Sequence, residues 1–274
     1  MAQGYEKGAP ILQCQGIQRI LGGNLILGGI DLTIRDIIRP GHTTGQVVGL
    51  LGPSGIGKTV LFRTLAGLDK PDAGQVLIGD PPRPVERGMV GVVAQHYPLF
   101  AHRTVMGNLV LAGRLAGLSQ AAARDKARGF LQRFGLEDRD KLYPIQLSGG
   151  QRQRVSIAQQ FMSSEHFLLL DEPFSGLDPV QVDNVCELLA EVATMHEHNT
   201  IIVVTHDISA AVEVSDTIFL LGRDRDQAGR IVPGAKIQAE IDLMERGLAW
   251  RHGITTTPEF AEVVREIRLR FVNL

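Results

Sequence analysis

Four short apolar segments of the chain each end in residues that can bind phosphate, a metal ion or water. Continuous apolar strands that alternate with helices predict an α/β fold with a parallel sheet, in which ligands bind beyond the carboxyl ends of the strands. Each polar residue alone could be a solvated loop residue, a surface charge or a helix cap, but their shared position predicts one polar edge. The segments are 47–51, 90–93, 167–170 and 201–204, followed respectively by a glycine-rich segment from Gly52, by Gln95, by Asp171 and Glu172, and by Thr205 and His206.

A helical insert is predicted between the second and third of these strands. Thr104 and Ser119 are suited to cap helices, and residues 121–134 are rich in helix-forming residues. Gly135 is suited to end that helix, and a further helix is predicted over residues 151–162. The insert is therefore predicted to be a helical unit within the α/β chain.

The end of the sequence predicts an amphipathic helix. Thr257 is a suitable cap, Pro258 fits the first helical position, and Glu259 complements the positive end of the helix dipole. Apolar residues then repeat on one face. We expect this face to pack on the protein's own core, and the alternative is a membrane-surface or regulatory contact. The apolar residues are Phe260, Val263, Val264, Ile267 and Phe271.

Composition narrows the class of protein. The 274 residues, 44% of them hydrophobic, are enough for one large domain with a subdomain or for two small domains. No apolar run approaches the roughly 18 residues of a membrane span, and no signal peptide is evident, so a cytoplasmic location is expected. The two cysteines, Cys14 and Cys186, fit a reducing compartment. A net charge of -2 disfavours binding to nucleic acid.

The glycine-rich segment from Gly52 to Thr59 has the pattern of a phosphate-binding loop. It lies between a predicted strand and a predicted helix over residues 60–66, which is the context that this motif needs. Glycines allow backbone amides to surround phosphates, and Lys58 can reach the outer phosphates while Thr59 ligates Mg²⁺. ATP and Mg²⁺ are therefore the predicted cofactors, and the alternative is an ordinary glycine-rich turn. The predicted nucleotide contacts here are Gly52, Pro53, Ser54, Gly55, Ile56, Gly57, Lys58, Thr59 and Val60.

The residues after the other strands predict a hydrolytic site. Asp171 is suited to hold Mg²⁺, because a hard cation prefers an oxygen ligand on a rigid strand. Glu172 is predicted to be the general base that accepts a proton from the attacking water, and Lys58 stabilises the developing charge. His206 is predicted to contact the terminal phosphate.

These motifs resemble the nucleotide-binding subunit of ATP-binding cassette (ABC) transporters over about residues 12–221. The ordered motifs are the P-loop, the Q-loop at Gln95, the signature Leu147-Ser148-Gly149-Gly150-Gln151, the Walker B strand that ends at Glu172, the D-loop 175–178 and the switch His206. The resemblance implies a P-loop NTPase core with a mainly parallel sheet, a small N-terminal antiparallel β subdomain and an inserted α-helical subdomain at about 104–160. The predicted division is an ATPase domain over 1–225 and a C-terminal extension over 226–274.

The resemblance also implies a dimer that encloses ATP. Ser148, Gly149 and Gly150 open a helix and make a second anion site, which in this family closes over a nucleotide held by a partner subunit. It further implies catalytic and metal-binding roles for Gln95, beside Thr59 and Asp171 at the metal. The additional nucleotide contacts implied are Gln95, Ser148, Gly149, Gly150, Gln151 and Asp178.

The sequence departs from the family pattern at three places, one of which is Gln159, where the family frequently has an arginine. The family usually stacks adenine on an aromatic residue near the position of Leu21, but no Phe, Tyr or Trp lies between Tyr5 and Phe62. Either an aliphatic contact replaces the stack or Tyr5 folds back, and a modest preference for ATP over GTP is expected. The segment 35–46 is also longer than the family's usual turn.

The implied function is to power solute import through separate membrane-spanning subunits, at the cytoplasmic face of the inner membrane. The loop 96–105 would receive the membrane partner, and a solute-binding protein is a further expected partner. The switch region and tail are similar to ATPases of nitrate, sulfonate and taurine importers. Alternatives are an exporter or lipid-trafficking ATPase and, with less support, a soluble ABC ATPase that acts on nucleic acid or a metabolic kinase.

Overall fold

The computed structural model describes residues 4–42, 45–94, 97–163, 166–251, 253–271 and 274. Within these residues the centre of the fold is a six-stranded sheet with the order β10-β9-β3-β8-β7-β6. All its strands are parallel except β10, which is antiparallel to β9, so the carboxyl ends of the parallel strands meet at one edge. The strands are β3 (Gln46–Leu51), β6 (Gly91–Val93), β7 (Phe167–Asp171), β8 (Thr200–Thr205), β9 (Thr217–Gly222) and β10 (Lys236–Asp242).

A second, antiparallel sheet precedes and covers part of the first. In the described residues it has four strands in the order β2-β1-β4-β5. The helix α1 (Lys58–Leu65) buries Leu61, Phe62 and Leu65 in one apolar cluster with residues of both sheets. The predicted antiparallel β subdomain is thus confirmed. Its strands are β1 (Glu6–Leu21), β2 (Asn24–Ile38), β4 (Ala73–Ile78) and β5 (Arg83–Pro84).

The predicted helical insert is confirmed, with the caps that the sequence indicates. Thr104 Oγ1 accepts a hydrogen bond from Gly107 N at 3.1 Å, and Ser119 Oγ accepts one from Ala122 N at 3.2 Å. Gly135 follows the second helix with a φ of 62°, a conformation that favours glycine. The helices are α2 (Val105–Leu115), α3 (Gln120–Arg133) and α4 (Gly149–Ser163), with single-turn 3₁₀ helices at Glu137–Arg139 and Pro144–Gln146.

The segment after residue 225 packs on the central sheet. β10 adds to the sheet beside β9, and α7 (Pro258–Phe271) buries Phe260, Val263, Val264 and Ile267. This apolar face therefore packs on the protein's own core, in a cluster that also contains Leu51 and Leu220. The division at 225 and 226 stays a prediction. The other helices are α5 (Pro179–Thr194) and α6 (Ile208–Val214), and Ile254–Thr256 is a 3₁₀ helix.

Candidate functional site

The glycine-rich loop joins β3 to α1 and depends on the absence of side chains at defined positions. A Cβ on Gly52 would lie 2.7 Å from the Leu221 carbonyl oxygen, and one on Gly57 would lie 2.9 Å from Ile26 Cγ2. Gly55 and Gly57 also have φ values of 78° and 113°. The glycines therefore allow a tight backbone loop against the antiparallel subdomain, which leaves amide groups available for phosphate.

Lys58 is buried inside this loop. Its Nζ donates hydrogen bonds to the carbonyl oxygens of Gly52 at 2.8 Å and Pro53 at 3.2 Å. The same ammonium lies 3.5 Å from Glu172 Oε1, and the Lys58 side chain is only 8% exposed. The positive charge is thus fixed between the loop and the end of β7.

Glu172 is the centre of a polar network that joins β7 to β8. Its Oε2 accepts a hydrogen bond from Thr205 Oγ1 at 3.2 Å and lies 2.9 Å from His206 Nδ1. Its backbone amide donates to the Val204 carbonyl oxygen at 2.8 Å, and its φ is 49°, which is uncommon for a residue with a side chain. The structure therefore brings Lys58, Glu172 and His206 together, and it adds Thr205, whose hydroxyl orients the carboxylate.

Asp171 has the character of a metal ligand. Its Oδ1 is buried and has no hydrogen-bond partner among the described residues. Burial, reinforced by the negative charge of Glu172, raises the pKa of the Asp171 carboxyl, and Lys58 partly opposes this shift. A buried carboxylate oxygen that lacks a donor fits a hard divalent cation, so Asp171 and the exposed Thr59 are suitable to hold Mg²⁺.

The start of α4 is exposed and reciprocally capped. Ser148 Oγ accepts a hydrogen bond from Gln151 N at 3.3 Å, and Gln151 Oε1 accepts one from Ser148 N at 3.0 Å. Gly149 and Gly150 are exposed, and a Cβ on either would meet no atom within 4 Å. This helix start is therefore accessible, as the predicted anion site requires, and the Gln151 side chain serves to cap its own helix.

One further predicted residue, Asp178, lies apart from the network described above. Asp178 caps α5, where its Oδ1 accepts a hydrogen bond from Gln181 N at 2.9 Å. Gln95 lies outside the described residues. Tyr97, two residues further along the chain, has a φ of 46° and donates a hydrogen bond from its hydroxyl to the Pro173 carbonyl oxygen at 3.1 Å. The loop after Gln95 is thus joined directly to the residue that follows Glu172.

Sequence reasoning did not identify Asn108, which organises the loop before α2. Its side chain is fully buried and exchanges hydrogen bonds with the backbone of Phe100, at 2.7 Å and 3.2 Å. It also donates to the carbonyl oxygens of Arg103 and Thr104. The available signal was an amide in the middle of an otherwise apolar helix.

The tip of the β1–β2 hairpin presents aliphatic side chains. Ile20 and Leu21 are exposed there. Tyr5 does not fold back to this tip, because its hydroxyl donates to Asp242 Oδ2 at 3.2 Å and its ring packs against Trp250 with centroids 5.9 Å apart. The geometry therefore favours an aliphatic contact with the nucleotide base.

The fold and the residues at the carboxyl edge of its sheet define a P-loop NTPase with an inserted helical subdomain. A family model described as ABC transporter matches residues 41–175. The L-cystine transport system ATP-binding protein TcyN of Escherichia coli is 33% identical over 228 residues, which are 78% of this chain and 87% of TcyN. The chain therefore belongs to the ABC transporter ATP-binding family.

Other relatives are similar over different shares of their length. The sulfate/thiosulfate import ATP-binding protein CysA of Mycobacterium tuberculosis is 42% identical over 192 residues, covering 68% of this chain and 54% of CysA. The chain thus spans about half the length of that relative. The solved structure of cbiO1 from Clostridium perfringens, part of the ABC transporter complex cbiONQ, has a TM-score of 0.72 and 27% identity and covers 97% of both chains.

No helix in the described parts of the chain is long and apolar enough to cross a membrane. The predicted fold class is confirmed by the family match and by the solved structure. The roles of the individual site residues stay predictions, and so does the nitrate, sulfonate and taurine subgroup.

Proposed function

We propose that this protein hydrolyses ATP to power solute import through separate membrane-spanning subunits. The observation that carries the proposal is the contrast between two anion sites in one chain. Lys58 is enclosed in the glycine-rich loop, whereas the helix start at Ser148 is exposed among the described residues. Two copies related by a two-fold axis would each place Ser148 over the terminal phosphate that the other holds at Lys58.

Each residue at the carboxyl edge then has a defined task. The loop amides and Lys58 would bind the phosphates. Thr59, Asp171 and Gln95 would hold Mg²⁺, and the bound ion would supply positive charge beside the phosphate oxygens. Glu172 orients the attacking water and accepts its proton, because Thr205 and His206 hold its carboxylate beside Lys58. His206 contacts the terminal phosphate, and Asp178 lies at the dimer interface.

The loop from Tyr97 to Thr104 is proposed to receive the membrane partner. Tyr97, Leu99 and Phe100 give it apolar character, and Asn108 fixes its backbone. The hydroxyl of Tyr97 reaches the Pro173 carbonyl, so movement of this loop can be transmitted to the neighbourhood of Glu172. The protein would bind peripherally to the cytoplasmic face of the membrane.

Import is favoured by the relatives, whose names describe sulfate/thiosulfate and methionine import and L-cystine transport. We infer the nitrate, sulfonate and taurine importers as the subgroup, from the switch region and the tail, with a solute-binding protein as a further partner. An exporter or lipid-trafficking system is the second candidate, because the ATPase site would have the same parts. Co-purification of the membrane subunit distinguishes the two.

The test of the proposed dimer uses heterodimers purified through two different tags. One pairs a Ser148→Arg chain with a Lys58→Ala chain, and its control pairs a chain carrying both substitutions with a wild-type chain. Closure between subunits leaves one intact composite site in the first heterodimer and none in the control. Closure within a subunit gives the opposite result. Trapped nucleotide per dimer is the measurement, and trapping in the control alone would reject the proposal.

A further inference from the structure

Three histidine side chains contact one another at the amino end of the central sheet. The ring centroids of His166 and His196 are 4.5 Å apart, those of His166 and His198 are 5.7 Å apart, and those of His196 and His198 are 5.4 Å apart. His166 comes directly before β7, and the other two lie in the turn between α5 and β8. Because β7 and β8 run about 15–20 Å to the nucleotide edge, the cluster is separate from the site described above.

The backbone beneath this histidine cluster (His166, His196 and His198) is firmly held. Thr200 N donates to the His166 carbonyl oxygen at 2.7 Å, which joins the two strands at their first residues. The buried Asn199 donates from its backbone amide to the His196 carbonyl oxygen at 3.0 Å and from Nδ2 to the Val192 carbonyl oxygen at 2.8 Å. The backbone at His166 and His196 is thus held in place, and His198 lies in the short turn between His196 and Asn199.

The spacing of the rings matches that of imidazoles around one metal ion. Zinc–nitrogen distances of about 2.0–2.1 Å place the centroids of two bound imidazoles about 4.5–5.7 Å apart, for angles at the metal between about 90° and 125°. All three centroid separations in the cluster fall in this interval. The three ring centres therefore lie at separations that imidazoles around one metal ion would have.

Ring rotation is needed to complete such a site. Among the described residues, no group of three or more His, Cys, Asp or Glu side chains is already arranged to hold a metal ion. His196 and His198 are exposed, so their rings are free of steric restraint from the core. Rotation would give up the exposed hydrogen bond from His198 N to His196 Nδ1, at 3.2 Å. Glu197 Oε1, 3.7 Å from His198 Nε2, is an additional oxygen ligand within reach.

We propose that His166, His196 and His198 form a binding site for a divalent transition-metal ion, and we expect that ion to be Zn²⁺. Imidazole nitrogen is a preferred ligand of zinc, nickel and copper, whereas Mg²⁺ and Ca²⁺ prefer oxygen. The site is formed on binding and lies on the opposite end of the sheet from Asp171 and Glu172. It does not depend on the proposed transport function.

The test uses the full-length chain with any affinity tag removed and metal stripped by chelation. Co²⁺ is titrated and followed by its visible d–d absorption, with Zn²⁺ as competitor and excess Mg²⁺ present throughout. We expect one Co²⁺ per chain, displaced by Zn²⁺, and at least tenfold weaker binding in His196→Gln/His198→Gln. His42→Gln changes an exposed histidine outside the cluster and should bind as the wild type does.

The double variant should fold normally, because both changed side chains are exposed. Nucleotide binding by this variant checks that it does. Equal Co²⁺ affinity in the wild type and in the double variant would overturn the proposal, and so would the absence of saturable binding by the wild type. Loss of binding in Asp171→Asn with no effect of the histidine substitutions would place the ion at the nucleotide edge and would also overturn it.

Discussion

The two ends of the central sheet hold their polar residues in different ways. At the carboxyl end, Lys58 and Glu172 are 3.5 Å apart, and the side chain of His206 beside them is 53% exposed. At the amino end, Asn199 and Asp216 are only 3% and 5% exposed. His206 in the first group is thus open to solvent, whereas Asn199 and Asp216 in the second group are enclosed.

The hydrogen bonds at the amino end explain this difference. Asp216 Oδ2 accepts from Val47 N at 2.8 Å, Asn199 O accepts from Gln46 N at 2.8 Å, and Gln46 Nε2 donates to the Arg35 carbonyl oxygen at 2.7 Å. The Asp216 carboxylate and the Asn199 carbonyl thus provide acceptors for the backbone amides at the start of β3. We infer that the amino end fixes the sheet. The carboxyl end can then hold charged groups that lack some hydrogen-bond partners, as Asp171 does among the described residues.

The largest expected effect at the carboxyl end is that of Glu172→Gln. Removing a general base lowers the rate of hydrolysis by about 10²–10⁴-fold, because the attacking water loses its proton acceptor. ATP binding should persist, since Lys58 and the glycine-rich loop are unchanged. Phosphate release at saturating ATP measures the rate, and size-exclusion chromatography with ATP should show a stabilised dimer.

Glu187→Gln is the matched control, because this exposed glutamate lies on α5 away from the site. It should leave turnover unchanged. Undiminished turnover in purified Glu172→Gln would contradict the general-base assignment.

Lys58→Ala should have the next largest effect, and it acts on binding. A hydrogen bond to a charged group contributes about 1.5–3 kcal/mol, so the dissociation constant for ATP should rise by about 10–150-fold. Titration with a fluorescent ATP analogue measures this change. Lys70→Ala removes an exposed lysine and should bind normally; equal affinity of both variants would show that Lys58 makes no phosphate contact.

The carboxyl end could be predicted from the sequence because its residues follow apolar strands in a recognisable order. The observed strands β3, β7 and β8 include the predicted segments 47–51, 167–170 and 201–204, and the observed α1 begins at Lys58. Lys58, Glu172 and His206 meet as their positions after these strands predict. Parallel topology alone is sufficient to bring such residues to one edge.

The amino end could not be predicted because its contacts join residues that are distant in sequence. Asn199 has the appearance of a turn residue, and Asp216 that of a surface charge, until the register of β3 and β8 is known. The length of segment 35–46 alone also does not indicate which part of the chain the segment contacts. In the structure the guanidinium carbon of Arg39 lies 4.0 Å from the centre of the Trp250 ring, which joins that segment to the C-terminal part of the chain.

Asp216→Asn tests the enclosed end and should change the pH dependence of stability. Burial raises the pKa of the Asp216 carboxyl from 3.8 to about 7, although Val47 N and Arg39 favour its charged form and Asp242 opposes it. The folded state therefore keeps a proton that the unfolded state releases, so this contribution to stability is present below about pH 4 and is lost as pH rises to about 7.

Asparagine stays neutral and can still accept a hydrogen bond from Val47 N. The variant should therefore keep its free energy of unfolding as pH rises, whereas the wild type should lose at least about 1 kcal/mol. Urea unfolding at about pH 5 and about pH 8 measures the difference. Asp125→Asn, at an exposed position on α3, should retain the wild-type pH dependence. If Asp216→Asn retains it too, another group controls stability in this range.

The smallest expected effect concerns the base of the nucleotide at the hairpin tip. Wild type presents Ile20 and Leu21 and should prefer ATP over GTP only modestly, because an aliphatic surface has no hydrogen-bonding groups that distinguish the bases. Leu21→Tyr restores an aromatic surface and should tighten ATP binding by about fivefold, near the lower end of the 1–3 kcal/mol that a base–aromatic stack contributes. Competition between ATP and GTP for both proteins is the measurement, with Leu115→Tyr, an exposed position on α2, as control. A wild-type preference above about a hundredfold would show that polar groups elsewhere form hydrogen bonds that distinguish the two bases. The carboxyl end would then supply more hydrogen-bond partners than the comparison of the two ends implies.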